Sequence, residues 1–263
     1  MINKKSTKTI IHFREKIFDH KILINYTTDF LTNLFVLAKR KYNNENTKNS
    51  VTKIHTNLSK QLTEYSKTLA QQDNMIEINM ILSDENPIIQ SESSLTDSNI
   101  LLMVTFQKID WDEINIFRPF LLRYLTLYLK EKTKLSTNKI KHLVTNLSFV
   151  IQEFLQNANQ YGIGDYGYEL TVSYKDNKIA ISVKNYTNSD NAIQLQSIVD
   201  EITNAEDMHD LILKYMLNSQ KHLGLISSVF NNYISNLTCK INQDNLVCLE
   251  ALIETKKETD KLD

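Results

Sequence analysis

Glycine is nearly missing from this chain. Four glycines occur in 263 residues, where ordinary usage would give about 18. With so few, each glycine marks a place where backbone freedom or close approach is needed. Prolines number two and cysteines two. Two cysteines, Cys239 and Cys248, in apolar and extended-looking segments read as small core residues and support no disulfide framework. They have no further metal-ligating residues near them in sequence, so no metal spacing arises. Charge of one sign is missing too. Thirty basic and 31 acidic residues leave a formal net charge of −1, so no global charge argues for nucleic acid or a membrane surface. The densest basic run, Tyr128–His142, reads as a solvated helix end and linker. Long apolar runs are absent as well. The best, Phe30–Ala38, is broken by Thr32 and Asn33, far short of the roughly 20 residues a membrane helix needs. The N-terminal MINKKSTKTIIHFREK has no apolar segment behind its charges and does not read as a signal peptide. The expectation is a soluble, cytoplasmic protein.

What is present is a hydrophobic fraction of 41%, enough for a real core in one large domain or two small ones. Lys21–Tyr26 reads as a strand, Thr28–Tyr42 and Val51–Gln71 as helices, Ile76–Leu82 as a strand, and the polar Ser83–Asn99 as mostly loop. The pattern then restarts with a strand at Ile100–Phe106 and helices at Asp110–Lys132 and Asn138–Tyr161. Strands at Tyr168–Tyr174 and Lys178–Lys184 flank the turn KDN. Helical segments at Ala192–Ile202 and Glu206–Asn218, a helix opening near Gly224, and a hairpin of Leu237–Ile241 with Leu246–Ile253 follow. Trp111 is expected to pack on the core at a helix start. The predicted fold class is α+β, with helices on one face of a mixed, mainly antiparallel sheet. Residues 1–99 form an N-terminal α/β segment, 100–254 the main domain and 255–263 a charged tail. Thr56–Gln72 aligns without gaps on Thr145–Tyr161 with six of 17 positions identical, Glu64 matching Glu153. The N-terminal segment therefore reads as a candidate degenerate copy, with Thr68 standing where the second copy has Asn157.

The chemistry concentrates on the second helix of the restart. Leu147, Val150, Ile151, Phe154, Leu155 and Ala158 make one apolar stripe at 3.6-residue spacing. Glu153 and Asn157, spaced i, i+4, share a face at its border, with Asn146 and Gln160 nearby. This is either an ordinary polar flank or a carboxylate and an amide looking into a pocket. Three of the four glycines, Gly162, Gly164 and Gly167, follow at once. Gly162 is expected as the left-handed residue ending the helix. Gly224, in KHLGLISSVF, stands where a helix N-terminus admits a phosphate or a helix packs closely. The six histidines are scattered without a ligand spacing, and no Ser-His-Asp or Cys-His arrangement is visible.

The order of these features resembles the histidine-kinase-like ATPase superfamily. QEFLQNANQYG is similar to its N box, VKNYTNSDNAIQLQSIVDEITNAEDMHDLILKYMLNSQ to a strand ending in Asn followed by helices in place of an ATP lid, and HLGLISSVFNNY to its later glycine box. Within the superfamily the likeness is to SiaB-like regulators, relatives of anti-sigma-factor kinases in bacterial partner switching. It covers about Ile100–Ile253. The resemblance implies ATP and magnesium as cofactors, with Asn157 as magnesium ligand, Glu153 as base, Asn185 on the adenine, and Gly224 with His222 at the phosphates. It implies a protein partner of the STAS-type antagonist kind, phosphorylated or reversibly held. A homodimer is a separate expectation that the resemblance does not supply. The chain departs from the pattern at Asn185, Thr187 and Ser189, which replace the superfamily's Asp-x-Gly-x-Gly, and at His222 beside Gly224. Side chains therefore stand where phosphate would approach. That favours a second reading, a pseudokinase that binds protein through the helical insertion Ala192–Asn218. A third reading is an unrelated α/β domain.

Overall fold

The structure is a computed structural model that describes residues 8–14, 20–43, 51–69, 75–82, 87–90, 100–106, 111–163, 167–217, 226, 229, 231 and 233–255. β1 (Lys8–Arg14), α1 (His20–Asn43), α2 (Val51–Leu69), β2 (Met75–Leu82) and β3 (Pro87–Gln90) come first. β4 (Ile100–Phe106), α3 (Trp111–Lys132), α4 (Thr137–Tyr161), β5 (Tyr168–Lys175) and β6 (Lys178–Tyr186) repeat that order of elements. α5 (Ser189–Thr203), α6 (Met208–Leu217), β7 (Asn236–Ile241) and β8 (Leu246–Glu254) follow.

The described strands form one eight-stranded sheet in the order β3-β2-β1-β4-β5-β6-β8-β7. Every pairing is antiparallel. The two β-α-α-β-β units therefore meet at β1 and β4, in a register that sets Ile11 opposite Val104. Along β6, Ile179, Ile181 and Val183 are buried while their neighbours are half-exposed, the period-2 signature of a sheet covered on one face. The helices supply that cover, α2-α1-α3-α4 lying side by side. Across the junction Phe30 of α1 stacks on Phe120 of α3, with ring centroids 4.7 Å apart and planes 14° from parallel. Residues from both units belong to a single core. Tyr124, fully buried there, donates its hydroxyl to the Leu101 carbonyl at 2.6 Å.

α4 starts where Ser136 caps it, its hydroxyl accepting from the Lys139 amide at 3.3 Å. All six residues of the predicted stripe are buried. At about 1.5–3 kcal/mol for each large apolar side chain, packing rather than intrinsic propensity holds this helix. The β5–β6 turn is the predicted one. Asp176 and Asn177 both have positive φ, 52° and 59°, as a two-residue type I′ hairpin requires.

Two local expectations are corrected and two strands are added. Lys21–Tyr26 lies inside α1 and is not a strand. Its branched and aromatic residues favour extension locally, but Leu23, Thr27, Phe30, Leu31 and Leu34 continue one buried helical ridge, and tertiary packing wins. β1, between β2 and β4, is not among the strands expected from the sequence. Within Ser83–Asn99, Pro87–Gln90 is a short edge strand, a position where proline costs no ladder bond. Trp111 is 54% exposed and is not packed on the core. Cys239 and Cys248 are free. Cys239 faces Leu249 and Cys248 faces Lys240 across β7 and β8, so the two thiols point to opposite faces of the sheet. The helix expected near Gly224 and the tail beyond Thr255 lie outside the described residues, Ile226 and Val229 apart.

Candidate functional site

The last two turns of α4 lie over the ends of β6 and β8, and α5 closes the side. Between them is a small cavity. α4 lends Phe154, Asn157, Ala158 and Tyr161, the β6 segment Val183, Asn185 and Thr187, α5 Asn191 and Leu195, and β8 Val247 and Leu249.

Asn157 sits on the stripe's border, as its spacing predicts, and is only 6% exposed. Its Nδ2 donates to Glu153 Oε1 at 3.4 Å. Burial pushes the Glu153 carboxyl above its ordinary pKa, and the bond from Asn157 opposes that rise. The Tyr161 hydroxyl is held above its usual pKa by burial and by the Glu153 charge, so it stays protonated. Asn185 continues the core-facing row of Ile179, Ile181 and Val183 and is 7% exposed. Its Nδ2 reaches the Tyr186 carbonyl at 3.4 Å. The sheet thus brings Asn157 and Asn185 to one cavity, with Glu153 one turn behind.

Thr187 and Ser189, where the superfamily pattern has glycines, are tied into the wall. The Thr187 hydroxyl donates to the Tyr161 carbonyl, and its amide donates to Asn245 at 3.1 Å. Ser189 accepts from the Asn245 side chain at 3.1 Å. Asn188 caps α5 by accepting from the Asn191 amide at 2.8 Å. Gly162 bridges to Thr187, and the Ile163 amide donates to Tyr186 at 2.7 Å. Gly162 is not left-handed as expected but extended, with φ −75° and ψ 151°. Its reason is space. A Cβ there would meet the Ala158 carbonyl, stand 2.6 Å from the Tyr168 ring and 3.2 Å from Asn185 Nδ2. The left-handed glycine is Gly167, with φ 76°.

Among the described residues the cavity amounts to about 10 Å³, room for about one water. Small-ligand pockets run to about 300–1,000 Å³. Among the described residues no lysine or arginine lines the cavity. The described lining by itself leaves too little room for a nucleotide. Gly224 and His222 lie outside the described residues, so the expected phosphate contacts are not among those brought together here. In the first unit Glu64, the counterpart of Glu153, is an exposed residue 4.0 Å from Lys60.

Tyr161 and Asn191 line the cavity without being among the site residues expected from the sequence, while Thr187 was legible only as a departure from the superfamily pattern. Tyr161 was within reach of the sequence, being four residues beyond Asn157 on the same ridge. Asn191 was not, because only the packing of α5 brings it to the cavity.

Comparison with protein-family models and with curated proteins finds no match. A chain of the SiaB-SiaC complex from Pseudomonas aeruginosa is similar to this chain at 19% identity. The TM-score is 0.44, over 59% of this chain and 90% of that one. No described helix is long and apolar enough to cross a membrane.

Proposed function

We propose that the chain is a signalling regulator of partner-switching type that acts by holding a protein partner, with its nucleotide pocket closed. The observation that carries this reading is the cavity between Asn157 and Asn185. Among the described residues it amounts to about 10 Å³, and Leu195, Leu249 and the tied-down Thr187 line it. The partner on this reading is of the STAS-type antagonist kind, and the binding face is the helical insertion built from α5 and α6. The roles left to the buried polar groups are structural. Asn157 and Asn185 satisfy polar atoms at the core edge, and Thr187 ties the end of α4 to β6.

A second reading keeps the kinase. It is favoured by the convergence of Asn157 and Asn185 on one cavity, with Glu153 a turn behind at a raised pKa suited to a base. On that reading Asn157 holds magnesium, Asn185 meets the adenine, and Gly224 and His222 face the phosphates.

Calorimetry with ATP, with and without magnesium, on the native chain and on Asn157→Ala decides between them. Folded native protein that gives no binding heat at millimolar nucleotide supports the closed pocket. Magnesium-dependent binding that disappears in a folded Asn157→Ala variant establishes the kinase site instead.

A further inference from the structure

α6 buries Leu211 and Tyr215, with Met208 and Ile212 half-covered against the core. An amphipathic helix would set polar residues on the opposite side. α6 instead carries Leu213, Met216 and Leu217, exposed by 55%, 60% and 82%. Their i, i+3, i+4 spacing makes one ridge. Among the described residues no other helix carries three large exposed apolar side chains. The ridge stands in an acidic setting. Asp190, Asp200, Glu201, Glu206, Asp207 and Asp210 fall within α5, α6 and their connection, against one lysine, Lys214. That lysine is bound to Glu201. In a chain of net charge −1, α5, α6 and their connection carry a local acidic excess, with Asp210 at i−3 to Leu213 on the same helix.

The ridge is also held in place. Glu201 at the end of α5 accepts from Lys214 and from the Tyr215 hydroxyl, the latter at 2.8 Å. Tyr215 has its pKa raised to about 12 by burial and by its bond to Glu201, so the hydroxyl remains a donor at neutral pH. A preorganised surface loses less entropy on binding.

We propose that this ridge docks a basic amphipathic helix of a protein partner, leucine-like residues meeting Leu213, Met216 and Leu217 and lysine or arginine meeting the acidic rim. Charge complementarity selects this occupant. An anionic membrane or a nucleic acid meets like charge, and a second copy brings the same acidic face. A bare apolar partner leaves the rim unused. Met216 lets the ridge adapt to the shape of the incoming stripe. The proposal rests on the protein-binding reading above and names the chemistry of the partner.

The test is a titration of the isotope-labelled full chain with a synthetic amphipathic helix, leucine on one face and lysine on the other, followed by amide shifts. The expected shifts are confined to α6 and the end of α5, and the affinity falls as salt rises. Leu213→Ser with Leu217→Ser, both on the exposed ridge, weakens binding at least about tenfold while circular dichroism stays native. Asp210→Lys weakens it without touching the ridge. Equal binding of the same peptide with every lysine replaced by glutamate overturns the proposal. So do shifts confined to other surfaces, sedimentation with anionic vesicles, or a ridge variant that changes only self-association. The nucleotide calorimetry fails or succeeds separately. A chain that binds neither peptide nor nucleotide loses this docking surface and keeps the closed pocket. A chain that binds both keeps the surface and loses the closed pocket.

Discussion

At the scale of single residues, Glu153 is the group whose surroundings say most. Desolvation raises its pKa and the Asn157 amide offsets part of the rise. A carboxyl whose folded pKa lies above its unfolded value stabilises the fold while protonated, and that contribution is lost as pH rises through the folded value. Glu153→Gln removes the charge and keeps an acceptor for Asn157. The variant should therefore exceed the native chain in stability at neutral pH. The gain should fade as pH falls through the raised folded value toward the ordinary carboxylate range. Urea unfolding of both proteins across a pH series measures this, and a variant weaker than native at neutral pH refutes the burial account. Cys239 illustrates the opposite lesson. Its thiol is pushed up to about 12 by burial first and by Cys248 and Asp200 after that. It is an inert core residue rather than a nucleophile.

At the scale of elements, the decisive contact is where α4 ends against β6. Gly162, Ile163, Tyr186 and Thr187 join the two in a short stretch of strand-like pairing. Because the Gly162 backbone is one any residue adopts, Gly162→Ala has no conformational cost. It costs space instead, since the methyl would come within 2.6 Å of the Tyr168 ring. Overpacking of this kind costs about 1–3 kcal/mol. The urea midpoint should drop by about 1 M, taking a slope of roughly 1–3 kcal/mol/M. An unchanged midpoint would show that the Tyr168 ring and the Ala158 carbonyl both give way and that the end of α4 is loosely packed. The β5–β6 hairpin rests on the opposite logic, for there the positive φ values of Asp176 and Asn177 are themselves the constraint.

At the scale of the whole molecule, the repeated β-α-α-β-β order meets itself across β1 and β4, and Phe30 stacks on Phe120 above that seam. One continuous sheet and one core leave no plane along which the units separate. Removing either ring should cost about 3–5 kcal/mol. The double variant Phe30→Ala with Phe120→Ala should reveal a coupling of about 0.5–1.5 kcal/mol. Trp111 fluorescence and far-ultraviolet dichroism should then trace the same unfolding curve. Two separated transitions would mean that the N-terminal unit folds as a body of its own.

Much of this was legible in the chain itself. Periodicity located β4, α3, α4, β5, β6, α5 and α6 within a few residues, and the six-residue stripe of α4 is buried as its spacing requires. The spacing of Glu153 and Asn157 fixed which face they share, because helical period is a property of neighbouring residues. Tertiary structure alone decided the rest. It turned Lys21–Tyr26 into helix, set β1 at the seam of the sheet, and left Trp111 in solvent. It also moved α5 against Asn157 and Asn185, so that a polar row which reads as a ligand site encloses about 10 Å³. The reason is the same in each case. Local pattern records which side of an element is apolar, while the size of a cavity and the exposure of a ridge depend on what distant segments bring to that side.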